Sequence, residues 1–540
     1  MAMGIGLLLS AGIDRGGRWA TWLLLLTVGL LGIAHVAFLP PFEGTDERSH
    51  WSYIQQLADT GLMPPVGTAM ISADVDAYPG PDVLRTGGRA YRDFFAAPVP
   101  DMQAAVQRQY TPGRFLSWEA EHPPLYYLLM APFYLLAKDW SWPNQMLLLR
   151  LVSWSIAFAG FSIGCFASQR ALVSLHVAPA ARLLVPVWPL MFPQFFPEMA
   201  RLGNDSLCLL FVSIAWCFTL QGLGNPRPKA AIGLGLSLGL GLLTKAFFWP
   251  VGAGSLAVLV MAGIRERDRR YVATVVIAAA IAIAVGGAWY LRNLAVTGSF
   301  FGAYDFILSG RAGGTWDRLM AKFGPDEVLT ILRGLAVLSG SFAWAGTASL
   351  AMLPRIFTAP LVLLAILPLS VWLSHLGRRP ILVIAPLLMA LPLLLGLLYH
   401  VLAEAPFVEN RIGTPGWYLH ILFAPLALAL ALGWQPNLLF RSLLVYAITF
   451  HAVCWATQLS VFSGCAYKPG PHMSLQLDTG SCLISPANLA VLGEPWLGGV
   501  ALAGAVIAGT AALLAARAAT RPAGAPVVAP GQPRIISGRQ

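Results

Sequence analysis

The chain has 540 residues, 57% of them hydrophobic and 11% charged, with a mean hydropathy of +0.67. Soluble domains carry about 25% charged residues, so a soluble enzyme or binding module is excluded and an all-α polytopic membrane protein is expected. The formal net charge of +10 does not imply nucleic acid. Its cations stand in short clusters between apolar runs (Arg15/Arg18, Arg170/Arg182, Arg227/Lys229, Arg265 to Arg270, Arg378/Arg379, Arg441, Arg517/Arg521), where cytoplasmic loops carry them beside anionic lipid.

Residues 1–18 read as a cytoplasmic N-terminus. The apolar run from Trp19 to Phe38 is long enough to span a bilayer (about 19–39), and no small-residue cleavage site follows it, so a retained signal anchor is expected. Residues 40–122 form a large polar loop with eleven acids against six arginines, the reverse of the cytoplasmic clusters, which places it outside. Pro40 and Pro41 end the first helix, and Glu43, Asp46, Glu47 and His50 follow directly. Acids are costly at the mouth of a membrane helix unless they face water or a ligand. This stretch reads as a reaction centre or as an ordinary polar loop.

Thr45 is the expected N-cap of a helix through Asp59, with Asp46 and Glu47 in its first turn and Asp46 and His50 as i,i+4 neighbours. Trp51, Ile54, Leu57 and Ala58 give that helix an apolar side, so it is expected to lie in the membrane interface. Met63 to Gly88 reads as irregular loop. After Glu119-Ala-Glu-His-Pro-Pro-Leu-Tyr-Tyr127, the run Leu125 to Ala137 is too short to span and suits a second interfacial helix.

Further spans are expected at 145–168, 183–198, 203–222, 231–249, 250–264, 271–291, 355–375, 380–402, 417–433, 442–462 and 496–516. With the first they make about twelve transmembrane helices and put both termini in the cytoplasm. The pair around Lys245–Pro250 is tight enough to be one broken helix. Residues 19–300 form one membrane module and 301–516 a C-terminal membrane region, with outer loops at 292–354 and 463–495. Residues 517–540 read as a disordered cytoplasmic tail. Cys165, Cys208, Cys217 and Cys454 lie in apolar runs as small buried hydrophobes, whereas Cys465 and Cys482 share an outer loop in which a disulfide can form.

The ionisable residues collect at the outer ends of the spans: Glu43, Asp46, Glu47, His50, Glu121, His122, Arg150, Glu198, Arg201, Asp205, Lys245 and Arg292. The span interiors hold almost none, which points to one polar cavity at the outer face. The chemistry that fits is group transfer from a lipid-linked phosphate, with a carboxylate as general base on an acceptor hydroxyl and Arg or Lys on the leaving phosphate. Lys245, inside an apolar run, is the sharpest signal and reads either as a phosphate ligand or as a snorkelling lysine. Arg201 and Arg292 read as site cations or interfacial anchors, and His122 as a participant or a loop-fixing hydrogen bonder. His35, His375, His400, His420 and His451 show no ligand spacing and read as structural.

At these residues the chain resembles the GT-C superfamily of polytopic glycosyltransferases, which includes the protein O-mannosyltransferases and the lipid A aminoarabinose transferases. Asp46-Glu47, His122-Pro-Pro-Leu-Tyr-Tyr127, Leu243-Thr-Lys245 and Trp289-Tyr-Leu-Arg-Asn293 carry the resemblance, in that order, over roughly residues 19–300. It is nearest a poorly characterised bacterial branch.

The resemblance implies an inverting transferase in a bacterial inner membrane, taking a sugar from a polyprenyl-phosphate carrier to a lipid, glycan or protein on the outer side. Asp46 or Glu47 would be the base. Glu43, His50, Glu121, His122, Arg201, Asp205, Lys245 and Arg292 would bind substrate. Some members use a divalent cation such as Mg or Mn, for which Asp46, Glu47 and His50 are the candidate ligands. Two departures stand out: Phe42-Glu-Gly-Thr45 separates the prolines from the acids, and Gly416-Trp-Tyr-Leu419 stands where that branch tends to have Gly-Arg-Tyr. The competing readings are a transporter or flippase of lipid-linked glycans, and a glycan ligase or polymerase using a diphosphate-linked donor.

Overall fold

The computed structural model describes residues 15–82, 87–302, 324–347, 355–374, 381–404, 414–469, 475–477 and 482–520. His375, Arg378 and Arg379, and the expected tail from 521 onward, lie outside these residues. The helices, in order, are α1 (Arg15–Phe38), α2 (Glu47–Thr60), α3 (Ala73–Asp76), α4 (Ala90–Ala96), α5 (Leu125–Leu136), α6 (Trp142–Ser174), α7 (Pro179–Arg182), α8 (Leu184–Met191), α9 (Phe195–Met199) and α10 (Asp205–Gly224). They continue as α11 (Pro228–Leu242), α12 (Phe248–Glu266), α13 (Arg270–Thr297), α14 (Pro325–Ala343), α15 (Ala359–Ser374), α16 (Ile381–Glu404), α17 (Phe423–Gly433), α18 (Leu438–Phe462), α19 (Pro486–Leu492) and α20 (Pro495–Thr520). Two short antiparallel pairs complete the fold, β1 (Met70–Ser72) with β2 (Pro112–Leu116) and β3 (Ala466–Tyr467) with β4 (Gln476–Leu477).

Among the described residues ten helices are long and apolar enough to cross a membrane, against the twelve expected. The expected span 183–198 is broken. Phe192 precedes Pro193 and takes an extended conformation (φ −125°, ψ 87°), as the proline ring requires of its neighbour. The side chain of Gln194 occupies the break, its Oε1 accepting from the Ala345 and Gly346 amides at 2.7 and 2.9 Å. The chain then turns through α9, which brings Glu198 and Arg201 to the end of the bundle where Thr45 and Glu47 lie. The expected span 231–249 is shorter, because α11 stops at Leu242 and a five-residue turn holding Lys245 precedes α12.

Three further expectations are corrected. Residues 63–88 are not wholly irregular, since β1 and α3 fall there. The stretch 292–354 contains α14, whose face carries Leu338 and Phe342 into the core; its apolar part, Val328–Ala343, is shorter than a membrane span requires. Finally, α2 does not lie on the membrane surface. Its Glu47, His50, Trp51, Tyr53, Ile54 and Gln55 are all buried, packed against α5. In α5, by contrast, Leu128, Leu135 and Leu136 are more than half exposed.

The spans enclose one continuous apolar core, and the first outer loop builds a second. In the second, Phe42 packs edge-on to Trp51, Tyr78 and Trp142 at 5.1–6.1 Å between ring centroids. The indole N–H of Trp51 donates to Gln145 at 3.0 Å, so its fully buried ring leaves no polar atom unpaired. This aromatic box locks the outer loop to the head of α6 and so fixes the acidic turn between α1 and α2.

Candidate active site

The turn from α1 to α2 is built around Arg150 of α6. Its guanidinium donates to the carbonyls of Leu39 and Pro40 and grips both oxygens of Glu47, with Nε 2.8 Å from Oε1. Glu47 also accepts from the amides of Gly44 (3.0 Å) and Leu202 (2.9 Å) and is fully buried. A Cβ on Gly44 would come within 2.5 Å of the Glu47 carboxyl carbon, so glycine is required there. Glu47 therefore spends its lone pairs on the scaffold, and its geometry leaves no room for an acceptor hydroxyl. Glu43 is likewise a tie, accepting from Tyr91 (2.7 Å) and from Thr347 (2.6 Å) across the molecule.

Asp46 differs. It, not Thr45, occupies the N-cap position of α2, in a left-handed conformation (φ 59°) with no side-chain capping bond. Aspartate tolerates that region better than most residues. Its side chain is half-buried, and among the described residues its carboxylate has no hydrogen-bond or ion-pair partner. It nevertheless lies within electrostatic reach of Glu119, Arg201 and Tyr418.

Behind Asp46 stands a four-membered charge cluster. Arg201 donates to the carbonyl of Thr45 (2.9 Å), to both oxygens of Glu198 (2.8 and 3.2 Å) and to Asp205 (3.0 Å). Lys245 meets both oxygens of Asp205 at 2.9 and 3.0 Å, with the rings of Phe247 and Tyr418 at 4.8 and 4.6 Å from its ammonium. Tyr418 belongs to the Gly416-Trp-Tyr-Leu stretch that lacks the expected cation, and it gives Lys245 an aromatic face instead. All four groups are buried, and each is matched by an opposite charge, as burial demands.

A second, proton-holding cluster lies within electrostatic reach of Asp46. Glu119 Oε2 accepts from the Tyr127 hydroxyl (3.3 Å) and sits 3.1 Å from His122 Nε2 and 3.4 Å from His50 Nδ1. His50 Nδ1 is also 3.0 Å from the Tyr127 hydroxyl. Burial pushes the Glu119 carboxyl up to about 8, and the negative charge of Asp46 adds to this. Burial also takes His122 down to about 3 and holds His50 well below its ordinary value. At neutral pH the cluster thus keeps its proton on Glu119, between two neutral imidazoles.

Sequence reasoning missed Glu119 as a site residue; its i,i+3 spacing to His122 was the available signal. Glu121 is half-buried, within electrostatic reach of Glu119. Tyr53 stacks on Tyr127 at 3.7 Å and donates to the His122 carbonyl. Arg292 lies close enough to Tyr53 for its charge to be felt there. The Arg292 guanidinium rests over Trp289 at 4.8 Å and, among the described residues, has no carboxylate partner.

The donor set expected for a divalent cation does not fit. Both Glu47 oxygens are held by Arg150, and His50 Nδ1 faces Tyr127 and Glu119. Among the described residues no group of three His, Cys, Asp or Glu side chains is placed to hold a metal ion.

No family model matches the chain, and no curated protein matches it. Similarity does appear among solved structures. The chain is similar to ArnT. The structure of ArnT from Cupriavidus metallidurans bound to undecaprenyl phosphate aligns with 93% of this chain and 78% of its own, at 13% identity and a TM-score of 0.46. The oligosaccharyltransferase AglB from Archaeoglobus fulgidus, in complex with an inhibitory peptide and a dolichol-phosphate, aligns with 92% of this chain and 56% of its own, at 14% identity and a TM-score of 0.37. The Archaeoglobus fulgidus oligosaccharyltransferase complex with Zn and sulfate covers 81% of this chain and 52% of its own, at 14% identity and a TM-score of 0.38. At these scores the likeness assigns no activity to the site, which rests on its own geometry.

Proposed function

We propose that this protein is a membrane glycosyltransferase that moves a sugar from a polyprenyl-phosphate carrier to a hydroxyl of an envelope lipid, glycan or protein outside the cytoplasm. The observation that carries the reading is Asp46, a carboxylate without a hydrogen-bond or ion-pair partner among the described residues, within electrostatic reach of a paired charge cluster and of a protonated one. A general base must be free to accept a proton, and of the two candidate acids only Asp46 is. As the acceptor oxygen attacks the anomeric carbon, Asp46 takes its proton. The bond from that carbon to the carrier phosphate breaks on the opposite face, and its electron pair leaves with the phosphate, giving an inverted glycoside and free polyprenyl phosphate.

Arg292, which has no carboxylate partner among the described residues, is the cation we assign to the leaving phosphate, because Lys245 and Arg201 are ion-paired with Asp205 and Glu198. Those four groups form the floor against which Asp46 is held. The outer-face assignment is supported by the Cys465–Cys482 disulfide, since disulfides persist in oxidising compartments. That loop packs on the first outer loop: the Lys468 amide donates to the Gly88 carbonyl at 3.0 Å, and Arg92 lies 4.1 Å over the Tyr467 ring.

The test is glycan or lipid modification in cells carrying Asp46→Asn, with release of polyprenyl phosphate from a radiolabelled carrier-linked sugar by the purified protein. Loss of about 100-fold or more in rate is expected at unchanged protein level. Full activity in Asp46→Asn would refute the mechanism, and solute accumulation in vesicles under an imposed gradient would favour a carrier instead.

A further inference from the structure

A second hollow lies at the far end of the bundle from this site. From Asp205 to Gly224, α10 spans 20 residues, or about 30 Å at 1.5 Å per residue. At its far end the ends of α6, α11, α12 and α16 leave a cavity of about 750 Å³, within the size range of ligand sites. Gly224 lines it and borders open space, since a Cβ built there meets nothing within 4 Å.

Two chemistries line this cavity. The walls are hydrocarbon, supplied by Ala171, Leu220 and Ile381, while the rim carries Arg170, Arg227, Lys229 and Arg265 against a single acid, Glu266. That acid already accepts from the Tyr271 hydroxyl at 3.0 Å. The tendency of cytoplasmic loops to be basic explains the presence of cations. It does not explain why four of them, from three separate parts of the chain, converge on one hollow with apolar walls. A small hydrated anion would leave those walls wet, and a neutral lipid would bring no anionic group to Arg170, Arg227 and Lys229, which have no ion-pair partner among the described residues.

We infer that this cavity binds the phosphate headgroup of an anionic amphiphile, with the first carbons of its tail against Leu220 and Ile381. Two sources share that chemistry, a bulk anionic phospholipid and a polyprenyl phosphate. The inference stands apart from the reaction proposed above, because no residue of the cavity belongs to the outer site.

The test is native mass spectrometry of the purified full-length protein supplied with phosphatidylglycerol, phosphatidylcholine or polyprenyl phosphate, beside equilibrium binding of radiolabelled inorganic phosphate. One tightly retained anionic lipid is expected, preferred over phosphatidylcholine by about tenfold or more, as several surface cations acting on one headgroup imply. The preference should fall about tenfold in Arg170→Gln/Arg227→Gln, whose side chains are exposed and outside the packed core. It should also fall in Gly224→Phe, which fills the hollow without changing charge. Displacement of phosphatidylglycerol by an equal amount of polyprenyl phosphate would assign the site to the carrier, and failure to displace it would assign the site to bulk lipid; either result supports the shared chemistry. The inference is overturned if the protein shows no preference over phosphatidylcholine, if the preference survives in both variants, or if inorganic phosphate binds as tightly as the lipids.

Discussion

Asp46 and Glu47 are adjacent in sequence, and composition cannot tell them apart. What separates them is Arg150, 103 residues further on, which takes both Glu47 oxygens, while Asp46 has no ion-pair partner among the described residues. The two substitutions should therefore fail differently. Asp46→Asn keeps the fold and loses turnover, whereas Glu47→Gln leaves a buried guanidinium short of its countercharge, which costs about 3–5 kcal/mol. Thermal unfolding in detergent checks this: a large fall in Tm is expected for Glu47→Gln and almost none for Asp46→Asn. Glu119 gives a pH signature. Its carboxyl is raised to about 8 from 4.5 in the folded protein, so the native state binds the proton more tightly than the unfolded chain. Its contribution to stability is complete at low pH and fades as pH climbs through that interval. His122 and His50 are lowered instead, so their effect has the opposite sign and is spent above about pH 6.5. Between about pH 7 and pH 9 the Tm of the wild type should fall, and in Glu119→Gln that fall should shrink.

Among the elements, the long spans were legible because about twenty consecutive apolar residues have few other uses. The missed elements were those whose shape depends on one distant partner. Pro193 signalled a break, but only the bonding of Gln194 to Ala345 and Gly346 shows why the chain can turn there without leaving amides unpaired. Helix α14 was hidden because its apolar run, Val328–Ala343, is shorter than a span. It is docked by Gly416, where a Cβ would come 1.8 Å from the Leu338 carbonyl oxygen. No side chain fits such an approach, so Gly416→Val should push α14 off the bundle at a cost of about 1–3 kcal/mol. Limited trypsinolysis reads this directly: cleavage at Arg333, exposed on α14, should speed up severalfold in the variant, and an unchanged rate would show that α14 does not depend on this contact. The same displacement would disturb the neighbouring Tyr418 and its contact with Lys245, so carrier-linked sugar turnover should drop with it.

At the scale of the molecule, charge and cysteine placement sort the two ends of the bundle. The acids of the first loop, the charge cluster and the Cys465–Cys482 bridge gather at one end, while Arg170, Arg227, Lys229 and Arg265 gather at the other. Sequence patterning suggested that polarity. It could not show that residues as far apart as Thr45, Arg201, Lys245 and Tyr418 meet, because such contacts depend on how helices pack and not on their period. The orientation is open to direct measurement. The four unpaired cysteines, Cys165, Cys208, Cys217 and Cys454, are buried, and the other two form the disulfide, so the native chain offers a low background to a membrane-impermeant maleimide. Thr60, exposed at the end of α2, and Asn225, exposed beyond α10, mark the two ends. With the reaction site outside, Thr60→Cys should label in intact cells and Asn225→Cys only after permeabilisation. The reverse pattern would place the acidic site in the cytoplasm, where a disulfide would not persist, and the proposed use of a carrier-linked sugar on the outer face would fail with it.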